Sequence, residues 1–186
     1  MKALVLLAPG CEEMEAVIVM DVLRRGGVDV VGAGLDPGVL TASRGVKIEP
    51  DLPLDALENA KDFDLLVLPG GLPGTEAMLA DVRVRDLVLH YATTPGQLLG
   101  AICAAPLVLD AHGVLEGKGF TCFPTLRHRI ETRGWSPERV VEDGELITSQ
   151  GPGTAMAFAL CLVRRLAGEE AAHSVAEGLL FQNPSE

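Results

Sequence analysis

The chain has 186 residues, a net charge of −11 and a hydrophobic fraction of 48%. This length supports one sizeable core but not two comfortable domains, so we expect a single domain over residues 1–186. The acidic balance argues against specific nucleic-acid binding, and no apolar run is long enough to predict a membrane-spanning helix. Because no signal-peptide pattern follows the first residues, we expect a cytoplasmic protein.

The first part of the chain predicts a β-α-β unit. The apolar run Ala3–Ala8 has the length of a strand that is covered on both faces, and Pro9-Gly10 ends it. A helix with acidic residues in its opening turn continues through Leu23 and stops at Gly26-Gly27. A second strand over Val28–Ala33 completes the unit, whose crossover should be right-handed.

Glu15 differs from the other acidic residues at the start of the first helix. We expect Glu12 and Glu13 to be solvated, as most acidic residues at helix starts are. Glu15 precedes Ile18 and Val19 by one helical turn, on the face that should point toward the sheet. A carboxylate there is costly to bury unless it is protonated or serves a partner, which makes Glu15 a candidate functional residue.

The middle of the chain contains a second candidate feature. After short strand-like pieces with the turn Ser43-Arg44-Gly45 between them, Asp55–Asn59 predicts only a weak helical turn. The run Leu65–Leu68 predicts a third buried strand, which ends in Pro69-Gly70-Gly71. Glycines at the carboxyl end of a parallel strand let the backbone approach a ligand, although a tight turn with positive φ would also use them.

Cys103 lies at a predicted strand-to-helix bend. After a helix over Val82–Tyr91, Gln97–Leu99 predicts a buried strand and Ala104–Ala111 a helix. Such a bend strains the backbone of the residue at its apex, as in a nucleophile elbow. The following helix N-terminus should lower the thiol pKa. The alternative is a buried cysteine that acts as a small hydrophobic residue.

The last third of the chain continues the alternation of strands and helices. It predicts a strand-like piece, a short solvated helix, a β-hairpin with an Asp-Gly turn, two helices and a frayed end: Phe120–Phe123, Thr125–Thr132, Arg139–Thr148, Ala155–Leu166, Glu169–Leu180 and Gln182–Glu186. The whole pattern predicts a doubly wound α/β fold, whose ligand crevice lies at the carboxyl ends of the strands. Glu15, Gly70-Gly71 and Cys103 each follow a predicted strand, and their convergence favours a functional Cys103.

Six motifs follow one another over nearly the whole chain: LAPGCEEME (residues 7–15), SRGV (43–46), VLPGG (67–71), AICAAP (101–106), FPTL (123–126) and TSQGPGT (148–154). Together and in this order they resemble the ThiJ/PfpI superfamily, and within it the DJ-one-like branch. The resemblance implies a flavodoxin-like α/β fold, in which a doubly wound, mostly parallel sheet carries helices on both faces, as in class I glutamine amidotransferases. It also implies a homodimer.

The resemblance implies roles for residues at the predicted crevice. Cys103 matches the nucleophile of the family, and Glu15 matches a carboxyl that hydrogen-bonds the thiol and shuttles a proton. Gly71 and Ala104 match positions whose backbone N–H groups form an oxyanion-type site, which Gly70 adjoins.

A second group of residues is implied to line the substrate pocket. Arg44 matches a residue near the dimer interface that reaches toward the partner's pocket, and Phe123 and Pro124 match pocket positions. Some members carry a histidine where this chain has Phe123, so the obvious base for a Cys-His pair is missing. We expect His112 to lie in a helix and His128 to lie on the surface. The lack of a histidine base beside Cys103 argues against protease or amidase activity.

The four cysteines, Cys11, Cys103, Cys122 and Cys161, form no Cys-x-x-Cys pair and no metal-ligand spacing. We therefore expect free thiols and no metal site in a cytoplasmic chain. Cys11 stands where relatives carry a small residue, and it is either a buried filler or a second oxidisable thiol.

The resemblance implies an enzyme that needs neither a cofactor nor glutathione. It would be a glyoxalase or deglycase acting on methylglyoxal, glyoxal or their early glycation adducts through the cysteine nucleophile. The alternative is an oxidative-stress sensor or redox-regulated chaperone that uses oxidation of Cys103 to a sulfinate. A cysteine hydrolase of the PfpI type is a weaker alternative because of Phe123.

Overall fold

The computed structural model describes residues 1–182, in which strands and helices alternate. The strands are β1 (Lys2–Leu7), β2 (Asp29–Gly34), β3 (Leu40–Thr41), β4 (Lys47–Ile48), β5 (Leu52–Pro53), β6 (Leu65–Leu68), β7 (Leu98–Ile102), β8 (Val140–Asp143) and β9 (Leu146–Ser149). The helices are α1 (Glu13–Arg25), α2 (Leu72–Ala80), α3 (Val82–Thr93), α4 (Pro106–Ala111), α5 (Ala155–Ala167) and α6 (Glu169–Gly178). No helix among the described residues is long and apolar enough to span a membrane.

Seven of the strands form one sheet in the order β5-β2-β1-β6-β7-β9-β8. All neighbours are parallel except β8, which pairs antiparallel with β9 in the predicted hairpin. The strands β3 and β4 form a separate antiparallel hairpin. This topology confirms the predicted flavodoxin-like, doubly wound sheet.

The continuous apolar runs are explained by helices on both faces of the sheet. Along β1, Ala3, Val5 and Leu7 pack into the layer that contains buried residues of α1 and α5. Leu4 and Leu6 pack into the opposite layer, with residues of α3 and α4. A strand covered on both faces has no polar alternation, which is why its sequence is apolar throughout.

The register of the central strands brings three loops to one edge. Val5 of β1 pairs with Val67 of β6, and Leu68 of β6 pairs with Ala101 of β7. The chain builds the sheet outward from β1 through β2 and then in the other direction from β6 through β7. The carboxyl ends of β1 and β6 therefore flank the point where the strand order reverses, which is where such folds bind ligands.

The helix α2 was not predicted from the sequence. Its first residues, Leu72-Pro73-Gly74, resemble a turn, because proline and glycine usually interrupt helices. Proline is tolerated in the first turn, where its missing N–H is not needed. Gly74 fits a close approach, since a Cβ added there would lie 2.7 Å from the backbone N of Cys11.

Several predicted bounds were also wrong. The helix expected from Ala104 begins at Pro106, and Phe120–Phe123 forms no strand but a single bridge from Phe120 to Trp135. The helical turn predicted over Asp55–Asn59 is a 3₁₀ segment over Leu54–Ala56. The short helix predicted over Thr125–Thr132 is a 3₁₀ segment over Pro124–Arg129. We expected residues 182–186 to fray, and of these, residues 183–186 lie outside the described part of the chain.

Candidate active site

Cys103 lies in the turn between β7 and α4, with φ at 64°. This left-handed conformation is uncommon for a residue with a side chain. It is fixed on both sides, because the Cys103 N–H donates to the carbonyl of Ser149 (2.9 Å) and its carbonyl accepts from the N–H of Phe123 (2.9 Å). The Cys103 side chain is buried, with 9% of the residue exposed.

Glu15 is fully buried on the face of α1 that points toward the sheet, as predicted. Its Oε2 accepts a hydrogen bond from the N–H of Gly70 (2.7 Å), whereas Oε1 has no hydrogen-bond partner among residues 1–182. Burial raises the pKa of Glu15 to about 7, despite the opposing effect of the Gly70 N–H. A large fraction of this carboxyl is therefore protonated near neutral pH.

The two glycines after β6 let Cys103 and Glu15 approach one another. A Cβ added to Gly70 would lie 2.6 Å from the Cβ of Cys103 and 2.7 Å from Oε2 of Glu15. Gly71 has φ at 85°, and a Cβ there would lie 2.5 Å from the carbonyl oxygen of Gly10. Both positions exclude side chains, so the structure brings Glu15, Gly70-Gly71 and Cys103 together.

The prediction of a lowered thiol pKa was wrong. Burial and the negative charge of Glu15 raise the pKa of Cys103 to about 12, while the backbone N–H groups of Gly71 and Ala104 act in the opposite direction. The helix α4 has six residues and begins at Pro106, so it provides only a short dipole beyond the thiol. Protonation of Glu15 removes the charge repulsion between its carboxylate and a Cys103 thiolate. The charge of the sulfur therefore depends on the protonation state of the carboxyl.

The prediction that Glu13 is solvated was also wrong. Glu13 is buried and accepts hydrogen bonds from the Ser43 Oγ (2.7 Å) and the Arg44 N–H (2.8 Å). Burial acts to raise the pKa of this carboxyl, but these donors hold it below its usual value. Glu13 thus fastens the turn of the β3–β4 hairpin to the start of α1. This contact is not predictable from local sequence, because Ser43 lies 30 residues from Glu13.

Within residues 1–182, Arg44 and Pro124 make no hydrogen bond or ion pair with Cys103 or Glu15, and both residues are exposed. The Arg44 side chain is exposed, and within residues 1–182 its guanidinium makes no hydrogen bond or ion pair. Pro124 is exposed at the start of a 3₁₀ segment. Phe123 is closer, since a Cβ added to Gly151 would contact both the Phe123 ring (3.1 Å) and the Sγ of Cys103 (3.9 Å). Gly151 belongs to the TSQGPGT motif, but nothing in that motif indicates that this glycine borders the sulfur of Cys103.

Within the described chain, the other three cysteines make no hydrogen bond to Cys103 or Glu15, although Cys11 borders the site, since a Cβ added to Gly71 would lie 2.8 Å from its carbonyl carbon. All four thiols are free; Cys11 and Cys122 are buried, and burial raises the pKa of Cys11 to about 12. Cys161 is half-buried beside Arg164, and burial raises its pKa to about 11. His112 ends α4 and His128 is exposed. Within residues 1–182 no three His, Cys, Asp or Glu side chains are grouped to hold a metal ion.

Comparison with known proteins gives consistent matches along the chain. The sequence model of the DJ-1/PfpI family matches residues 1–165. Protein dj-1beta of Drosophila melanogaster is 49% identical over 96% of both chains, and its crystal structure superposes with a TM-score of 0.93 at 47% identity, covering 98% of each chain. A protein of Caenorhabditis elegans named glutathione-independent glyoxalase DJR-1.2 is 39% identical over 95% of both chains.

Proposed function

The chain belongs to the DJ-1/PfpI family, and from that premise we propose that it is a glyoxalase that converts methylglyoxal to lactate, and glyoxal to glycolate, without glutathione or a cofactor. The observation that carries the proposal is the pairing of a buried thiol, Cys103, with a buried carboxyl, Glu15, whose pKa is raised to about 7. The similarity to a worm protein with this activity in its name supports it.

The first step is addition of the Cys103 sulfur to the aldehyde carbon of methylglyoxal. Because the pKa of Cys103 is raised to about 12, the thiolate does not accumulate, and it forms as its proton passes to Glu15. A C–S bond forms while the carbonyl π-bond breaks, and the resulting oxyanion is stabilised by the N–H groups of Gly71 and Ala104. Proton return from Glu15 to this oxygen gives a neutral hemithioacetal.

The second step moves hydrogen between the two substrate carbons. The Glu15 carboxylate removes the proton from the former aldehyde carbon, and the electron pair shifts through an enediol to the neighbouring carbonyl. Glu15 returns this proton to the second carbon while the hydroxyl proton of the first carbon moves to the oxygen of the second, which gives a lactoyl thioester. The first carbon is oxidised and the second is reduced, so no external oxidant is needed. Hydrolysis by water releases lactate and restores the Cys103 thiol.

Deglycation, the removal of early glycation adducts, would use the same site and the same chemistry. An early adduct of methylglyoxal with an amine, a thiol or a guanidinium is a hemiaminal or hemithioacetal in equilibrium with free dicarbonyl. Consumption of the free dicarbonyl at Cys103 would drain such adducts, and direct attack on the adduct would use the same groups. Both routes give lactate from the same carbon atoms.

A redox-sensing role is the second candidate function. The N–H groups of Gly71 and Ala104 act on the sulfur of Cys103, and the same donors suit the oxygens of a sulfinate. Two oxidations by peroxide would each add one oxygen to the sulfur and release one water. Mass spectrometry after mild peroxide treatment tests this role: selective addition of two oxygens at Cys103 supports it, and equal oxidation of Cys161 contradicts it.

The test of the glyoxalase is lactate formation from methylglyoxal without glutathione. We expect the parent protein and Cys161→Ser to form lactate, and Cys103→Ser to lose the activity by at least about 10²-fold, since alcohols are poor nucleophiles without a strong base. Cys161→Ser is the matched control because its thiol is half-buried and outside the site. Lactate formation by Cys103→Ser at the parent rate would refute the proposal.

A further inference from the structure

The segment between β9 and α5 contacts Cys103 at two points. The carbonyl of Ser149, the last residue of β9, accepts the N–H of Cys103 (2.9 Å). Two residues later Gly151 borders the sulfur, since a Cβ added there would lie 3.9 Å from the Sγ of Cys103. Cys103 has φ at 64°, which is unfavourable for a residue with a side chain, so its conformation depends on such external contacts.

A single hydroxyl, that of Thr154, contacts both Ser149 and Gly151. Its Oγ1 lies 2.7 Å from the Oγ of Ser149 and accepts the N–H of Gly151 (3.0 Å). The side chains of Ser149 and Thr154 are both buried. Because these groups are buried, loss of the Thr154 hydroxyl would leave the Gly151 N–H without a partner, which is costly.

The direction of these hydrogen bonds follows from the number of protons. The Ser149 hydroxyl has one proton, and the Arg139 carbonyl, 2.8 Å from its Oγ, can only accept. The Ser149 proton is thus assigned to Arg139, and Thr154 is the donor in the 2.7 Å contact. A chain of hydrogen bonds therefore runs from the Gly151 N–H through Thr154 and Ser149 to Arg139, the residue before β8.

We propose that Thr154 is a positioning residue, whose hydroxyl holds Ser149 and Gly151 so that the Cys103 sulfur stays beside the Glu15 carboxyl. Thr154 acts through these two residues and not on the substrate. The inference rests on the proposed function for its effect on turnover, whereas its effect on the reactivity of the thiol does not depend on that function.

Loss of the Thr154 hydroxyl should change turnover and thiol reactivity in opposite directions. A loosened turn displaces the sulfur from Glu15, and a displacement of about 1 Å can reduce a rate by about a hundredfold. The same loosening lets water reach the sulfur, and solvation favours the thiolate, which is the form that reacts with iodoacetamide. A role in stability alone would change neither rate in the folded protein.

Thr154→Val tests the proposal, because valine keeps the shape of the side chain without the hydroxyl. We expect kcat for lactate formation from methylglyoxal to fall by about tenfold or more with little change in KM. Alkylation of Cys103 by iodoacetamide should become faster by about twofold or more. Thr154→Ser retains the hydroxyl and should restore both rates.

Thr132→Val is the matched control, since the Thr132 hydroxyl binds Asp110 in another loop, and this variant should keep both rates of the parent. A folded Thr154→Val protein with the kcat and the alkylation rate of the parent would overturn the proposal. Equal changes in Thr154→Val and Thr154→Ser would overturn it as well, because the effect would not depend on the hydroxyl.

Mass spectrometry of each thiol separates a loosened turn from partial unfolding. Cys122 is buried, so its alkylation reports opening of the fold. In Thr154→Val we expect faster alkylation at Cys103 and the parent rate at Cys122. Equal acceleration at the two cysteines would mean that the fold as a whole opens, which contradicts a positioning role.

Ser149→Ala provides the test if Thr154→Val does not fold. In this variant the Thr154 proton can pass to the Gly151 carbonyl, 2.9 Å away, while the Gly151 N–H keeps its partner. The loss of kcat should therefore be smaller than in Thr154→Val, with Cys103 alkylation still faster than in the parent. Parent values of both rates in Ser149→Ala would overturn the proposal.

Alkylation also separates this inference from the proposed function. If the parent forms no lactate, the glyoxalase fails, and the alkylation rates of Cys103 alone decide the role of Thr154. Faster alkylation in Thr154→Val and the parent rate in Thr154→Ser would then support the positioning role, and equal rates in all three proteins would refute it.

Discussion

Glu15 is a fully buried carboxyl on α1, and its surroundings determine its charge. Its Oε2 accepts the Gly70 N–H (2.7 Å), while burial raises its pKa to about 7. A group that titrates near neutral pH in the folded protein links stability to pH.

The raised pKa of Glu15 predicts a pH-dependent stability. The pKa is about 7 in the folded protein against an ordinary value of 4.5, so between these values the folded protein binds a proton that the unfolded chain releases. Stability from this group is therefore present below about pH 4.5 and declines as the pH rises through 7. The full effect is on the order of 3 kcal/mol.

Glu15→Gln removes this titration. We expect its free energy of unfolding, measured by urea denaturation, to fall less than that of the parent between pH 5 and pH 8, by roughly 1–3 kcal/mol. Glu49→Gln is a suitable control because Glu49 is exposed. Parallel pH dependence of Glu15→Gln and the parent would show that Glu15 does not titrate in this range.

At the scale of elements, the sequence predicted the buried strands better than the helices that touch the site. The apolar runs of β1, β6 and β7 have no polar alternation because both faces are covered. The helix α2 was missed because Pro73 and Gly74 resemble a turn. Gly74 is explained by its contact with Cys11 in another loop, and such packing reasons are not visible in local sequence.

The loop after β6 yields a prediction about close packing. Gly71 and Gly113 both have positive φ, at 85° and 72°. A Cβ at Gly71 would also lie 2.5 Å from the carbonyl oxygen of Gly10, whereas a Cβ at Gly113 would meet nothing within 4 Å. The two positions therefore share the conformational strain but not the clash.

We expect Gly113→Ala to lower the free energy of unfolding by about 1–2 kcal/mol, the cost of a left-handed residue with a side chain. Gly71→Ala should cost several kcal/mol more, because the clash is with backbone atoms that cannot rotate away. Urea denaturation of both variants measures the difference. Similar losses in the two variants would contradict a tight contact between the loops after β1 and β6.

At the scale of the whole molecule, the alternation of apolar runs and helical patterns was enough to predict the doubly wound sheet. It was also enough to predict the convergence of Glu15, Gly70-Gly71 and Cys103, because parallel strands end at one edge. The pKa of Cys103 was not predictable in this way. Burial and the charge of Glu15 outweigh the backbone N–H groups of Gly71 and Ala104, and all of these depend on the assembled site.

The homodimer that the family resemblance implies would bury apolar side chains that are exposed on neighbouring elements of the single chain. Met14 and Val17 of α1 are 52% and 47% exposed, and Val46, beside the hairpin turn that Glu13 fastens, is 50% exposed. Large apolar side chains exposed together mark interaction surfaces. Arg44 lies on the same hairpin, which would let it reach a partner's pocket.

We expect the parent chain to sediment as a dimer and Val17→Glu to sediment as a monomer, because a buried unpaired carboxylate destabilises an interface. Val82→Glu is the control, since Val82 is 56% exposed at the start of α3. Analytical ultracentrifugation measures both variants. A Val17→Glu protein that remains dimeric would exclude this face as the interface.

The proposed glyoxalase requires Cys103 and Glu15 to act as one catalytic pair, with the carboxyl carrying the proton. The most direct measurement is the rate of lactate formation from methylglyoxal by Glu15→Gln, a substitution that keeps the shape of the side chain. We expect a loss of about 10²–10⁴-fold in kcat, the usual contribution of a general acid–base, in a protein that remains folded. Full turnover by a folded Glu15→Gln would remove Glu15 from the mechanism.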